Sequence, residues 1–381
     1  MKTDSRKISC DILTNVFLRG RNLKTEFSLK TKNIPLKKDI SFIKALVYGV
    51  VRLKKSIDDE IAFYYKGNYK KLKESFKNCL RIGVYQISMM DKVPNYASVN
   101  STVEASKSVN FKFSKTVNAI LIKYIKDKKT IDLKSPSYNY NQSIINQWKK
   151  FYSKKQIEDL CKWNDTLPNV WFYVGKKNIK EVEETQLEFF YHDKFKNYIS
   201  FLNTGEAIDE LVKKELVYAQ SPSSGLVVDL LDVNSKDCVL DACAAPGSKS
   251  KGIYQLLGDK GRLDINDFNQ KRYQKLKSDF KNYDTEITMK DASIDKFKFY
   301  DKILLDVPCS SIGTIQKNPD IKWKNINFEK LEQIQIEILK NMSRYVKKEG
   351  VIVYSTCSLN ENENWKIIDR FLTLNQDFCL D

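Results

Sequence analysis

Two cysteines stand in the same local setting. In "LLDVPCSSIGT" (304–314) and "VIVYSTCSLNENEN" (351–364) an apolar run ends in a loop of small and polar residues holding one cysteine, Cys309 or Cys357. Acids close the neighbouring apolar runs: Asp267 in "DINDFN", Asp291 in "KDAS" and Asp306 in "LLDVPC". A further loop, "DACAAPGSKS" (241–250), is made of residues small enough for a ligand to approach the backbone, and it is not the G-x-G-x-x-G of dinucleotide sites. Any one of these acids taken alone is a solvated loop residue or a helix N-cap. A cysteine is most simply a small buried hydrophobe, and that reading is taken for Cys10, Cys79, Cys161 and Cys238. It does not account for four such loops lined up at the ends of successive apolar segments.

One chemistry needs a thiolate beside a methyl donor. C5 of cytosine is a poor nucleophile. Thiolate addition at C6 makes C5 enamine-like, so that it can attack an electrophilic methyl group. The C5 proton must then leave and the thiol must be eliminated, and a carboxyl group near N3 and the 4-amino group promotes the addition. The chain has a single histidine, His192, to activate a thiol. The field of the site and Lys249 are the remaining candidates for holding a thiolate at neutral pH.

The elements that would position these groups follow a β–α rhythm from residue 236 onward. "DCVLDA", "GRLDIND", "EITMKDA", "KILLDVP" and "VIVYSTC" read as strands, with helices through Leu257, to about residue 282, over 327–346 and in "NWKIIDRFLTL". Repeating units of this kind give a parallel sheet covered by helices, whose ligands sit at the carboxyl ends of the strands. The acid closing the second strand, Asp267, lies where such folds commonly hold ribose hydroxyls. Residues 1–130 read instead as amphipathic helices, among them "ISCDILTNVFL", "ISFIKALVYGVVRL" and "KTVNAILIKYI", and predict a compact all-α domain. Residues 131–150, with Pro136, read as a linker, and 151–235 as a mixed region with a strand in "NVWFYVG" and a helix in "AIDELVKKELV".

Charge follows this division. The first 130 residues carry 28 Lys and Arg against 11 Asp and Glu, whereas the remaining chain has 37 of each, so the whole net charge of +17 lies in the helical part. Such a domain is suited to a polyanion, most simply nucleic acid, although a Lys-rich surface of compositional origin has the same look. The eight cysteines form no C-x-x-C pair, which argues against zinc, and no metal is expected. The first residues lack an apolar signal core and no stretch approaches 18 apolar residues. A reduced, soluble, cytoplasmic protein is expected, probing no membrane.

The motifs together carry a resemblance. "VLDACAAPGSKS", "LLDVPCSSIGTIQKNPDIKW" and "VIVYSTCSLNENEN" resemble those of the Sun/Nop family of RNA cytosine-5 methyltransferases. "KALVYGVVR", "LRIGVYQISMMDKVPNYASVNSTVEASK" and "VNAILIKYI" resemble the NusB-like helical domain fused to the bacterial 16S ribosomal RNA methyltransferase B branch. The resemblance implies an all-α NusB-like domain followed by a Rossmann-like methyltransferase domain over 236–381. It implies S-adenosylmethionine held by Cys243, Ala244, Ala245, Pro246, Gly247, Ser248 and Lys249, with Asp267 on the ribose, Asp291 at the adenine end and Asp306 between the methionine part and the base. Cys357 is then the nucleophile on C6, and Cys309 assists release of the methylated RNA. The segment "AQSPSSGL" (219–226) resembles the one that frames the pocket. The partner implied is 16S ribosomal RNA, free or in an assembling small subunit, with no DNA and a monomeric enzyme. The same chemistry on transfer RNA and an RNA-binding scaffold without activity are the competing readings. Three departures stand out. Ser248 replaces the loop's usual second glycine, Tyr173 and Gly175 stand where the family tends to have Arg and Asn, and the chain ends at Asp381. Family members continue there with a closing strand pair, so the expectation is either a shortened sequence or a sheet without its last strands.

Overall fold

The computed structural model describes residues 4–175, 177–203 and 205–381. The chain divides into two units. The first runs to Leu167 and also contains Ile312–Ile326, and the second comprises Pro168–Ser311 and Asn327–Asp381.

The first unit is helical: α1 (Ser5–Arg19), α2 (Leu23–Thr31), α3 (Lys37–Arg52), α4 (Lys54–Tyr64), α5 (Glu74–Met89), α6 (Asn95–Lys107), α7 (Phe111–Lys126), α8 (Gln142–Trp148) and α9 (Lys154–Asp165). Local chemistry sets several ends. The Asp4 carboxylate accepts from the Lys7 N–H at the start of α1, and Gly20 closes that helix in the left-handed region at φ 64°. Ile43, Leu46, Val47, Val50 and Val51 of α3 are all fully buried, the apolar face that the spacing predicts. Burying side chains of this size stabilises by roughly 1.5–3 kcal/mol each before conformational entropy is counted. Gly49 of α3 lies against the Tyr85 ring of α5, which would have to shift for any larger residue, since a Cβ there would fall 2.0 Å from it. Helix α4 buries Ile57, Ile61 and Tyr64 at i, i+4 and i+7.

Residues 131–150, expected as a linker, hold a 3-10 turn at Pro136–Asn139 and helix α8, with Ile144 and Trp148 fully buried. Their polarity has a structural use, since the Asn139 side-chain oxygen accepts from the Lys55 and Ser56 N–H groups of α4, 3.0 Å from each. The later segment Ile312–Ile326 is as firmly built in. Arg52 donates to the Gln316 carbonyl (3.0 Å), Trp323 Nε1 to the Val51 carbonyl (2.7 Å) and the Asn141 N–H to the Lys322 carbonyl (2.8 Å). Lys322 is fully buried, pairs with Asp165 at 2.5 Å and lies over the Tyr140 ring.

The second unit begins with β1 (Phe172–Val174), α10 (Ile179–Glu183), β2 (Phe189–Tyr191), β3 (Tyr198–Phe201), α11 (Glu206–Lys213), β4 (Val217–Ala219) and α12 (Pro222–Leu230). The four strands make a small antiparallel sheet in the order β2-β3-β1-β4. Then follow β5 (Cys238–Asp241), α13 (Ser248–Leu257), β6 (Arg262–Asn266), α14 (Gln270–Asp279), β7 (Thr285–Thr288), β8 (Tyr300–Asp306), α15 (Phe328–Met342), β9 (Val346–Ser355) and α16 (Trp365–Leu374). These strands form the expected parallel sheet, in the order β7-β6-β5-β8-β9. The strand order reverses between β5 and β8, and a crevice for ligands opens at such a reversal. Apolar side chains cover the sheet, Ile303, Leu305, Ile336 and Met342 in one cluster and Val239, Ile253, Leu263 and Ile265 in another. β9 pairs with β8 and stands at one edge of the five. None of the described helices is long and apolar enough to cross a membrane.

Candidate active site

The loop after β5 turns into α13 through Gly247, whose φ of 98° suits glycine, and a Cβ there would meet the Phe280 ring at 2.8 Å. The Ala245 N–H donates to Asp267 at the end of β6 (3.3 Å), and Asp267 also accepts from the Asn269 N–H (2.8 Å). The loop is held from the other side as well. Tyr198 donates to Gln220 (2.6 Å), and Gln220 donates to the Ser248 carbonyl (3.1 Å), which ties the 219–226 segment to the loop after β5. Asn266, missed in the sequence, donates to the carbonyls of Ala242 (2.9 Å) and Lys290 (3.0 Å) and so pins the loops after β5 and β7 together. Asp291 heads that last loop, its carboxylate accepting from the Ser293 N–H (2.9 Å) and hydroxyl (2.6 Å).

Asp241 is buried; one carboxylate oxygen accepts from Ser250 (2.7 Å), and the other, Oδ1, has no hydrogen-bond partner. Burial pushes its pKa up to about 7. Burial likewise pushes the Cys243 thiol up, so this cysteine stays neutral. An open helix N-terminus, a buried carboxyl with an unused oxygen and acids at the next two strand ends fit a ligand with a nucleoside and a charged amino-acid part. S-adenosylmethionine is such a ligand.

The register of β8 on β9 brings the two cysteine loops together. Asp306 lies opposite Ser355, so Cys309 and Cys357 leave adjacent strand ends. Their sulfurs are 3.2 Å apart, and the Cys357 N–H points at the Cys309 sulfur at 3.3 Å. Asp306 accepts from Lys249 (2.5 Å) and from the Ser355 hydroxyl (3.0 Å). The Cys357 thiol is brought down from an ordinary 9.0 to about 7, first by the hydrogen bond from Cys309 and then by the one it shares with Ser311, with burial and the Asp306 charge opposing and Lys249 assisting. The same bond and burial push Cys309 up. The pair is therefore biased toward a thiolate at Cys357 beside a thiol at Cys309, with Cys357 close to half ionised at neutral pH. His192 takes no part in this, because it lies on the small sheet with Nδ1 accepting from the Lys194 and Phe195 N–H groups.

Beneath the thiols is a residue that no motif singles out. Glu363 is fully buried and accepts from the Ser310 N–H (2.8 Å), the hydroxyls of Ser310 and Ser358 (2.5 Å each) and Gln335 Nε2 (3.0 Å). Ser310 follows Cys309 and Ser358 follows Cys357, so one carboxylate fixes both cysteine loops.

Comparison with known proteins agrees with this geometry. Residues 228–381 match the family described as 16S rRNA methyltransferase RsmB/F, and residues 3–126 match the NusB family. The probable ribosomal RNA small subunit methyltransferase B of Synechocystis is 28% identical over 368 residues, covering 89% of this chain and 82% of its own. The ribosomal RNA small subunit methyltransferase B of Shewanella oneidensis is 26% identical over 397 residues, covering 99% and 91%. The crystal structure of PH0851 shares the fold with a TM-score of 0.77 at 21% identity, over 98% of this chain and 90% of that one. NSun6 from Pyrococcus horikoshii, solved with SFG, aligns over 63% of this chain and 87% of its own with a TM-score of 0.54 at 17% identity. The paired thiols at the ends of β8 and β9 thus lie in a region, 228–381, that matches the RsmB/F family of 16S rRNA methyltransferases, behind a helical region, 3–126, that matches the NusB family.

Proposed function

We propose that the protein methylates C5 of an unpaired cytosine in 16S ribosomal RNA through a covalent adduct on Cys357, with S-adenosylmethionine as donor. The observation that carries this reading is the thiol pair, 3.2 Å apart, with Cys357 lowered to about 7 and Cys309 held protonated. A base must leave its stack to reach such a site, which favours loop cytosines. The Cys357 thiolate adds to C6 and the ring takes up the electron pair, its N3 receiving a proton from an acid of the site. Asp306, at the end of β8, is the carboxyl group assigned to that face of the base. The bound cofactor supplies an electrophilic methyl group, and the chain's own residues expected to hold it are the 243–249 loop, Asp267 at the ribose and Asp291 at the adenine. A water molecule takes the C5 proton, the freed electron pair re-forms the C5–C6 double bond and breaks the C6–sulfur bond to return the thiolate, N3 gives its proton back to the acid of the site, and Cys309 assists release. The basic helical unit grips phosphates without reading sequence. The eight free cysteines accord with a reducing, cytoplasmic setting.

The test is methyl transfer from labelled S-adenosylmethionine to unmodified 16S RNA. Wild type is expected to transfer, Cys357→Ala to transfer nothing, and Cys309→Ala to leave a protein–RNA adduct that survives denaturing electrophoresis. Transfer by Cys357→Ala at the wild-type rate would remove the covalent mechanism. Wild-type transfer to transfer RNA but not to 16S RNA would move the substrate.

A further inference from the structure

Ser311 has a backbone conformation that its side chain disfavours. Its φ is 59°, in the left-handed region where a residue with a Cβ is strained by roughly 1–2 kcal/mol relative to right-handed backbone. The other described non-glycine residues with positive φ are Lys128, Glu215, Asp232 and Glu349, and all four are exposed. Ser311 alone is half-buried, and it follows the Pro-Cys loop directly. Strain kept at such a place is usually tied to what the side chain does.

The side chain meets the thiol pair. Ser311 Oγ is 3.3 Å from the Cys357 sulfur, 4.0 Å from the Cys309 sulfur and 3.5 Å from the Cys309 carbonyl oxygen. While Cys357 is a thiol, its S–H donates to the Ser311 oxygen, and the hydroxyl proton is left with the carbonyl at the longer distance. A hydroxyl both accepts and donates, and it can turn. Once Cys357 has lost its proton, the sulfur is the nearer and stronger acceptor.

We propose that Ser311 is a further catalytic residue, whose hydroxyl donates to the Cys357 thiolate and keeps it ready to add to the base. Cys309 supplies one hydrogen bond to that sulfur and Ser311 the second. The charged groups that also face the sulfur are the Asp306 carboxylate, which opposes ionisation, and the Lys249 ammonium, which favours it. Glycine at position 311 would relieve the backbone and leave the thiolate with one donor. The inference rests on Cys357 being the nucleophile.

Ser311→Gly is the informative variant, because glycine suits φ 59° and the fold has no reason to suffer. The measurement is the rate of alkylation of Cys357 by iodoacetamide from pH 5.5 to 9.5 in the full-length protein, resolved by peptide mass spectrometry. The exposed Cys379 serves as an internal reference. The midpoint for Cys357 is expected to move up by about one pH unit, about tenfold in thiolate fraction below both midpoints, as loss of a hydrogen bond to a charged group implies. The thermal midpoint should equal or exceed that of wild type. Ser311→Ala keeps the strain and lacks the hydroxyl, so it should show the same shifted profile with a lower thermal midpoint. Alkylation profiles of Ser311→Gly and wild type that superimpose would overturn the proposal. This readout does not involve RNA, so methyl transfer by Cys357→Ala would refute the covalent mechanism separately.

Discussion

Cys309 and Cys357 are the same functional group at adjacent strand ends, and their opposite protonation states follow from which one receives hydrogen bonds. Cys357 gains from the Cys309 thiol and from Ser311, and Cys309 gives its proton to that bond. Methyl transfer should therefore rise with pH through about 7 and level off above it, since the thiolate is the reacting form. A pH profile of kcat/KM that climbs on toward 9 would mean an unperturbed thiol. Glu363 works at the same scale. Glu363→Gln puts an amide N–H where the Ser310 N–H and two hydroxyls need an acceptor, and the buried network loses about 2 kcal/mol or more. The variant is expected to lose methyl transfer more than tenfold with cofactor affinity unchanged by calorimetry. The cysteines themselves were legible because each follows an apolar run and sits in a loop of small residues. Glu363 was not legible, because "NENEN" reads as solvated loop and only the fold turns one of its acids inward. Ser311 gave no signal either, since backbone strain is invisible in a residue type.

Among the elements, what matters most is the pairing of β8 with β9 and the turn from β5 into α13. The first brings the thiols together, and the second builds the loop proposed to hold the cofactor. Asp241 closes β5 and lies under that loop. Its folded pKa of about 7 is above the ordinary 3.8, so between these values the folded state holds a proton that the unfolded chain has lost. Stability from this group is full below about 4 and is lost as pH rises through about 7. Asp241→Asn should flatten the fall in thermal midpoint between pH 4 and 7 and leave the variant the more stable protein at pH 8. The parallel strands were legible as apolar runs ending in acids and small residues. The small antiparallel sheet was not, beyond β1, because strands of three or four residues are too short for an alternating pattern to stand out.

For the molecule as a whole, charge and chain path diverge. The excess of +17 lies in the first 130 residues, and the binding constant for 16S RNA should fall steeply as salt rises. Replacing the exposed Lys123 and Lys126 of α7 by Gln together should lower the slope of log K against log salt by about two if both meet phosphates. An unchanged slope in a filter-binding titration would put the grip elsewhere. The helical unit, however, is finished by residues far from those 130, which a reading built on local periodicity could not anticipate. Trp323→Ala removes the bond to the Val51 carbonyl and the ring beneath Lys54, and should cost about 2 kcal/mol. The loss should register as faster hydrogen exchange in α3, more than 260 residues upstream of the substitution by sequence.

The position of Ile312–Ile326 also bears on how the protein is made. A ribosome that has translated α1 to α9 has released most of a helical domain, but not the Trp323 and Lys322 side chains that seal it. At about 5–20 residues per second the nascent domain waits on the order of 10–30 seconds for them. During that interval Asp165 has no Lys322 to pair with and the Val51 carbonyl no indole donor. The helical unit is thus begun before the sheet unit and completed only after residues 168–311 of that unit have been made.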